Sequence, residues 1–204
     1  MADKHHELLN IYNADGEVVG ARPRSEAKSS DGLAAGAVQL LLVGPGRKVL
    51  LQKRRDDKEN GGLWDKSVGG HVLAGESFDQ ALLREANEEL FGAAEANKVA
   101  IVGAFDGSVT TAPILVRRIR FELGLRDVRF ASTPEREIIN VTYHAAMYLG
   151  RADIPIEAFA RQDEELADLR YFDAAEVDRM LVTNRLAPNM NFLWFALGRH
   201  AATI

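Results

Sequence analysis

At 204 residues, with 47% hydrophobic and 27% charged residues, the chain has the composition of one globular domain long enough to bury a core. A net charge of −5 argues against a nucleic-acid polymer as partner, and the absence of cysteine excludes disulfides, zinc–thiolate sites and thiol catalysis. No apolar run approaches the ~20 residues of a membrane span and Met1 to Asn10 does not read as a signal peptide, so a cytoplasmic protein without membrane contact is expected.

Glu7 to Val19 reads as strand, turn, strand, with Asp15-Gly16 between two apolar runs as a strong hairpin signal. His5 and His6 read as frayed terminal residues rather than metal ligands. Arg22-Pro23-Arg24-Ser25 through Asp31-Gly32 reads as a polar loop, either a solvated connection or a place from which Arg22 or Arg24 reaches a substrate phosphate. Residues 1–35, this hairpin and loop, are expected to belong to the same domain as the rest of the chain.

Gly36 to Val43 is a buried strand and Val49 to Lys53 its partner, joined by Gly44-Pro45-Gly46-Arg47. That turn is no phosphate loop, because no Gly-Lys-Ser/Thr follows and no helix begins there. Lys53-Arg54-Arg55 closes the second strand with three positive charges, either a solvated strand end or an electrostatic guide for a polyanionic substrate. Trp64, in the Gly-rich approach to the next stretch, reads as core rather than as a base-stacking platform.

From Gly70 to Gly92 the chain runs GHVLAGESFDQALLREANEELFG. Gly70, Glu76, Arg84, Glu85, Glu88 and Glu89 stand at offsets that would arise by chance with a probability on the order of 10⁻⁵ at average residue usage. Ser77 is a helix N-cap, and Gln80 completes a capping box. Phe78 to Leu90 contains no Gly, Pro or β-branched residue. Phe78, Leu82, Ala86 and Leu90 form an apolar stripe, while Glu85, Glu88 and Glu89 form a separate acidic face. Three adjacent carboxylates repel one another, and divalent cations that prefer oxygen ligands, Mg²⁺ first among them, relieve that cost. Glu76 can hold Arg84 by a charge-assisted hydrogen bond. A merely solvated acidic face explains neither the fixed offsets nor the Gly-rich entry.

The stretch resembles the Nudix box, G-x5-E-x7-R-E-U-x-E-E-x-G-U with U aliphatic, at Gly70, Glu76, Arg84, Glu85, Ala86, Glu88 and Glu89. It departs at Phe91, where the box has Gly; Gly92 is read as the left-handed stop of a helix that ends one residue late. The run LLQKRRDDKENGGLWDKSVGGHVLAGES extends the likeness to a subgroup similar to isopentenyl diphosphate isomerase, covering about residues 36 to 92. The resemblance implies an α+β fold, an α/β/α sandwich around a mixed sheet with the N-terminal hairpin attached. The domain would span residues 36–204 with an extended segment at 107–138.

The activity so implied is hydrolysis of a diphosphate linking a nucleoside to another moiety, by metal-activated water. Mg²⁺, with Mn²⁺ as a substitute, would be held by the Gly70 carbonyl, Glu85, Glu88 and Glu89. Glu76 and Arg84 would join loop to helix. The proton would go to a box glutamate, Glu88 or Glu89, or to Glu164 or Glu165 in a downstream acidic loop. Arg24, Lys53, Arg54 and Arg55 would meet the substrate phosphates. Family members often use oligomerisation to complete the pocket, so a homodimer stays open.

Beyond the box, Lys98 to Phe105 alternates as a strand. Residues 107–138 are hardest to read: a helix opened by Pro113 and running through Gly124 is preferred, with a strand through VRRIRFEL as the alternative. Ile138 to Leu149 is a clear strand in which His144 reads as a hydrogen-bonded core residue. Asp163 to Asp168 is a polar loop before the strand Leu169–Phe172; Asp173 with Glu176 opens a helix to about Thr183. Pro188 opens a last helix whose aromatic stripe reads as core. Two other functions fit less well. In an isomerase the cysteine of Cys-Gly-His would fall at Gly69, and Ile139-Asn140-Val141-Thr142 lacks the acidic partners. A non-catalytic nucleotide-binding module would be expected to lose box carboxylates, and here all three remain.

Overall fold

A computed structural model describes residues 7–27, 32–92, 97–105, 111–160, 166–201 and 204. The strands are β1 (Leu8–Tyr12), β2 (Val18–Pro23), β3 (Ala34–Val43), β4 (Val49–Arg54), β5 (Trp64–Asp65) and β6 (Val68–His71) before the first helix, α1 (Phe78–Phe91). β7 (Val99–Ile101), β8 (Ile114–Phe130), β9 (Ile138–Ala152) and β10 (Leu166–Phe172) come next, then α2 (Ala174–Val182) and α3 (Pro188–Ala201). This is the expected α+β architecture, a mixed sheet between helices with an N-terminal hairpin. Its main path runs β10-β4-β3-β9-β8-β7.

β3 is the centre. All ten of its residues are buried, as suits a strand covered on both faces. Strand periodicity divides it: Val38, Leu40 and Leu42 join the cluster under α1, while Leu41 and Val43 join the one under α2 and α3. β9 lies parallel along one edge of β3, from Ala35 opposite Tyr143 to Val43 opposite Arg151. Along the other edge β3 pairs first with β6, up to Leu40 opposite Val68, and then with β4 from Leu42 opposite Leu50. Ser67 fills this change of partner: its hydroxyl donates to the Leu50 carbonyl at 2.6 Å and accepts from the Leu42 N–H at 2.7 Å, fully buried. β1 attaches the hairpin by pairing with β3 as well as β2.

Several elements differ from the sequence reading. Residues 114–130 are strand, not helix. β8 pairs with β9 from Ile114 opposite Ala152 to Phe130 opposite Ile138, and the β-branched Ile114, Val116, Ile119 and Val128 suit a pleated surface. The register shifts between Glu122 and Leu125. Gly124 adopts φ 65° there, and its N–H donates to His144 Nδ1 at 2.9 Å. His144 Nε2 meets the Asn13 carbonyl at 2.6 Å, so this histidine is the buried, hydrogen-bonded residue expected. Arg22 and Pro23 belong to β2 rather than to a loop, and the strand expected over Lys98–Phe105 is confined to Val99–Ile101. On α3, Trp194 is buried and donates to Asp178 at 2.8 Å, but Phe192 and Phe195 are exposed. Spaced three apart, those two share the outward face of the helix.

No helix among the described residues is long and apolar enough to cross a membrane. Replacing Ser67 by alanine leaves the buried Leu42 N–H without its acceptor. Ser67→Ala is expected to lower the free energy of unfolding by about 1–3 kcal/mol, read as an earlier midpoint at unchanged slope in urea denaturation.

Candidate active site

α1 is placed before its charges are. Ser77 Oγ accepts from Gln80 N–H at 3.2 Å while Gln80 Oε1 accepts from Ser77 N–H at 2.8 Å, the expected capping box. At the other end Gly92 has φ 76° and donates to the Glu88 carbonyl, so the helix does end one residue past the pattern, after Phe91. The loop ahead of it is held by Asn10, which donates to the Glu76 carbonyl at 2.9 Å and accepts from Gly75 N–H at 3.1 Å.

Arg84 ties loop, strand and helix together. It binds both oxygens of Glu76, through Nε at 2.8 Å and Nη2 at 3.0 Å, and Nη2 also donates to the His71 carbonyl at 3.0 Å. Nη1 lies 2.9 Å from Glu85 and 3.5 Å from Glu88. Burial works to raise the Glu76 carboxyl, but the bonds from Arg84 and the Leu73 N–H outweigh it and hold the pKa below the ordinary range. The sequence assigned Arg84 to Glu76 alone. In the structure it also offsets part of the repulsion between Glu85 and Glu88.

Of the acidic face, Glu85 and Glu89 line a cleft of about 190 Å³, whereas Glu88 does not. Gly70 also lines it, and a side chain there would collide with the Glu85 carboxyl, so glycine is what lets backbone and carboxylate meet. Glu89 Oε2 accepts from Gln52 Nε2 at 2.9 Å and from Gly69 N–H at 3.4 Å. Burial first, and the neighbouring Glu85 charge second, push the Glu89 pKa up to about 7 against those two bonds and the Arg54 charge. Among the described residues no group of three His, Cys, Asp or Glu side chains converges as a finished metal site. The two carboxylates and the glycine backbone are nevertheless an oxygen donor set of the kind a hard divalent cation takes.

The remaining candidates separate. Arg24 and Arg54 line the cleft; Lys53 and Arg55 do not, and Arg55 pairs with Asp57 at 3.0 Å. Glu164 and Glu165 lie outside the described residues. The far wall of the cleft went unread in the sequence. Arg129, on β8, donates to Asp127 Oδ2 at 2.7 Å, to Glu59 at 3.1 Å and to the Tyr143 hydroxyl at 3.1 Å, and that hydroxyl lies 3.1 Å from His71 Nε2. The signal present was the alternation of VRRIRFEL, the weaker of two readings. Trp64 packs edge-on against Phe172 at 4.6 Å within the core, as expected.

A family model described as NUDIX domain matches residues 32–191. An uncharacterized Nudix hydrolase of Rhodococcus erythropolis is 32% identical over 124 residues, 57% of this chain and 66% of its own length, so the chain spans just under two thirds of that relative. An isopentenyl-diphosphate Delta-isomerase of Aliivibrio fischeri is 23% identical over 193 residues, covering 93% of this chain and 91% of the isomerase. Among solved structures, DR0079 of Deinococcus radiodurans superimposes with a TM-score of 0.64 at 18% identity, covering 92% of this chain and 96% of that one; this likeness shows the fold.

In metal-free protein the raised Glu89 pKa has a definite sign. A carboxyl that titrates near 4.5 when unfolded and about 7 when folded binds more protons in the folded state. Its contribution is intact below about 4.5 and is lost as pH rises through about 7. Urea melts in a chelator at about pH 5 and about pH 8 are therefore expected to show a larger loss of stability for the parent than for Glu89→Gln.

Proposed function

The chain belongs to the Nudix family, and we propose that within it the protein is a Mg²⁺-dependent pyrophosphohydrolase that cleaves the diphosphate joining a nucleoside to another moiety. The observation that carries this reading is the meeting of Glu85, Glu89 and Gly70 in one cleft, with Arg84 locking the helix that bears the glutamates.

Glu85, Glu89 and the Gly70 carbonyl would hold the metal, with Glu88 joining from the same helix face. Bound there, Mg²⁺ would neutralise phosphate oxygens and lower the pKa of a water. The chain's own part is orientation and proton handling. Gln52 and the Gly69 N–H both bond Glu89 Oε2, which fixes the carboxyl. A carboxyl fixed in this way beside the metal is placed to take a proton from an attacking water. Glu164 or Glu165 is the alternative base. Arg24 and Arg54 lie in the cleft where they can meet phosphate oxygens. The products would be a nucleoside monophosphate and a phosphate ester.

The similarity to isomerases supplies a second reading. Against it, Gly69 lines the cleft where the isomerase pattern has its cysteine, and the chain contains none. Conversion of isopentenyl to dimethylallyl diphosphate is the assay that separates the two. Nucleotide binding without turnover in Mg²⁺ or Mn²⁺ would instead support a non-catalytic module.

A screen of nucleoside diphosphate sugars, dinucleoside polyphosphates, dinucleotide cofactors, coenzyme A and nucleoside triphosphates is expected to show Mg²⁺-dependent hydrolysis that chelation abolishes. On the best substrate Glu89→Gln should lower kcat/KM on the order of 10²- to 10⁴-fold; turnover equal to the parent sinks the site assignment. Arg54→Ala should raise KM about tenfold, the effect of losing one charge-assisted contact. Arg55→Ala, altering a side chain that does not line the cleft and pairs with Asp57, should leave KM within about twofold.

A further inference from the structure

The far wall of the cleft holds an oxygen that the proposed hydrolysis does not use. Asp127 is 2% exposed and lines the same cleft as Glu85 and Glu89. Its Oδ2 is taken by Arg129, but its Oδ1 is buried with no hydrogen-bond partner among the described residues. Gln39 Oε1 and Asn189 Oδ1 are also buried and unpartnered in this cleft. Those two are amides, whose oxygen and nitrogen can exchange places by a flip; the unmet atom of Asp127 is an oxygen whichever way its carboxyl is turned. Asp127 is therefore the group whose demand is chemically unambiguous.

The carboxyl is built in place. Arg129 is anchored at all three nitrogens, to Asp127, Glu59 and Tyr143. Glu59 is itself positioned by a loop stapled to the end of β8: Asn60 N–H donates to the Phe130 carbonyl at 2.9 Å, and Phe130 N–H donates to Asn60 Oδ1 at 2.9 Å. Arg129 also lies over the Tyr143 ring, 5.4 Å from its centroid. With Glu59 and Asp127 bonded to Arg129, and Arg24, whose charge also acts on Tyr143, bonded to Glu7 at 3.4 Å, this end of the cleft pairs its cations with carboxylates. It offers an acceptor.

We infer that Asp127 is a specificity-determining residue that accepts an N–H or O–H of the substrate's non-phosphate half, a ribose hydroxyl or a base amino group. The inference rests on the diphosphate being held at the Glu85–Glu89 end. It names the substrate class as polar and donor-bearing at the opposite end, since a buried acceptor left unmet is costly and a prenyl chain has no donor to bring.

The test is calorimetric titration in Mg²⁺ with methylenediphosphonate and with the adenosine, guanosine, cytidine and uridine α,β-methylene diphosphates, which resist cleavage at that bond. The parent is expected to bind at least one nucleoside analogue tenfold or more tighter than methylenediphosphonate. Asp127→Asn should remove about tenfold of that preference while leaving methylenediphosphonate within about twofold. Asp127→Ser is carried in parallel, with thermal melts to establish that each variant is folded. Overturning results are equal affinity of the parent for all five probes, no binding of any, an unchanged preference in folded variants, or a loss shared by methylenediphosphonate, which would mark a structural role. Turnover is measured separately. Nucleoside discrimination through Asp127 without hydrolysis sinks the hydrolase reading alone; hydrolysis indifferent to Asp127 sinks this inference alone.

Discussion

The site depends on where one guanidinium goes. Arg84 reaches three pieces of chain: Glu76 in the loop, the His71 carbonyl at the end of β6, and Glu85 and Glu88 on its own helix. A half-buried cation with this many partners cannot lose one cheaply, because breaking a buried pair leaves an uncompensated charge and costs about 3–5 kcal/mol. Each partner therefore holds the others in place. With β6 fixed against β3, Gly70 stands opposite Val38, and the same lock keeps Glu85 over it. The closeness of glycine backbone and carboxylate needs both the missing side chain at Gly70 and the hold of Arg84 on Glu85.

That lock would be idle without a sheet able to open beside it. β3 is fully buried and exchanges β6 for β4 along one edge. At such an exchange backbone groups risk burial without partners, and the Ser67 hydroxyl supplies one acceptor and one donor there. Beyond Leu50 β4 no longer pairs with β3, and Gln52 reaches from it to Glu89. Strand periodicity then sorts the three cations at the end of β4. Arg54 lines the cleft two residues on from Gln52, which lines it too, while Lys53 between them points to the other face.

What could be read from the sequence divides by distance along the chain. α1 was legible to the residue, from Ser77 to the late stop at Gly92, because caps, stripe and acidic face are all encoded within one helix. The core strand β3 and the last two helices were legible for the same reason. β8 was not: VRRIRFEL satisfies two periods at once, and what decides between them is pairing with β9, which no local pattern contains. The exposed Phe192 and Phe195 likewise look like core residues until the helix is oriented. The far wall was the least legible part. Glu59, Asp127, Arg129 and Tyr143 come from a loop and two strands, and no spacing joins them.

The two ends of the cleft are nevertheless one construction, and His71 is where they join. Its carbonyl takes Arg84, on the side of Glu85 and Glu89; its ring meets the Tyr143 hydroxyl, which takes Arg129 on the side of Asp127. The backbone of His71 thus takes one arginine directly, and its ring reaches the other through the Tyr143 hydroxyl, each arginine being held in turn by carboxylates. The ring nitrogen and the hydroxyl can share a single proton between them, since Tyr143 accepts from Arg129 and is left to donate to His71. Burial also raises the Tyr143 pKa, more than the Arg129 charge lowers it, so the phenol keeps that proton. The bonds through His71 thus connect the side of the cleft that holds Glu85 and Glu89 to the side that holds Asp127. Side chains held by bonds of this kind are positioned by their supports and not only by their own rotamers.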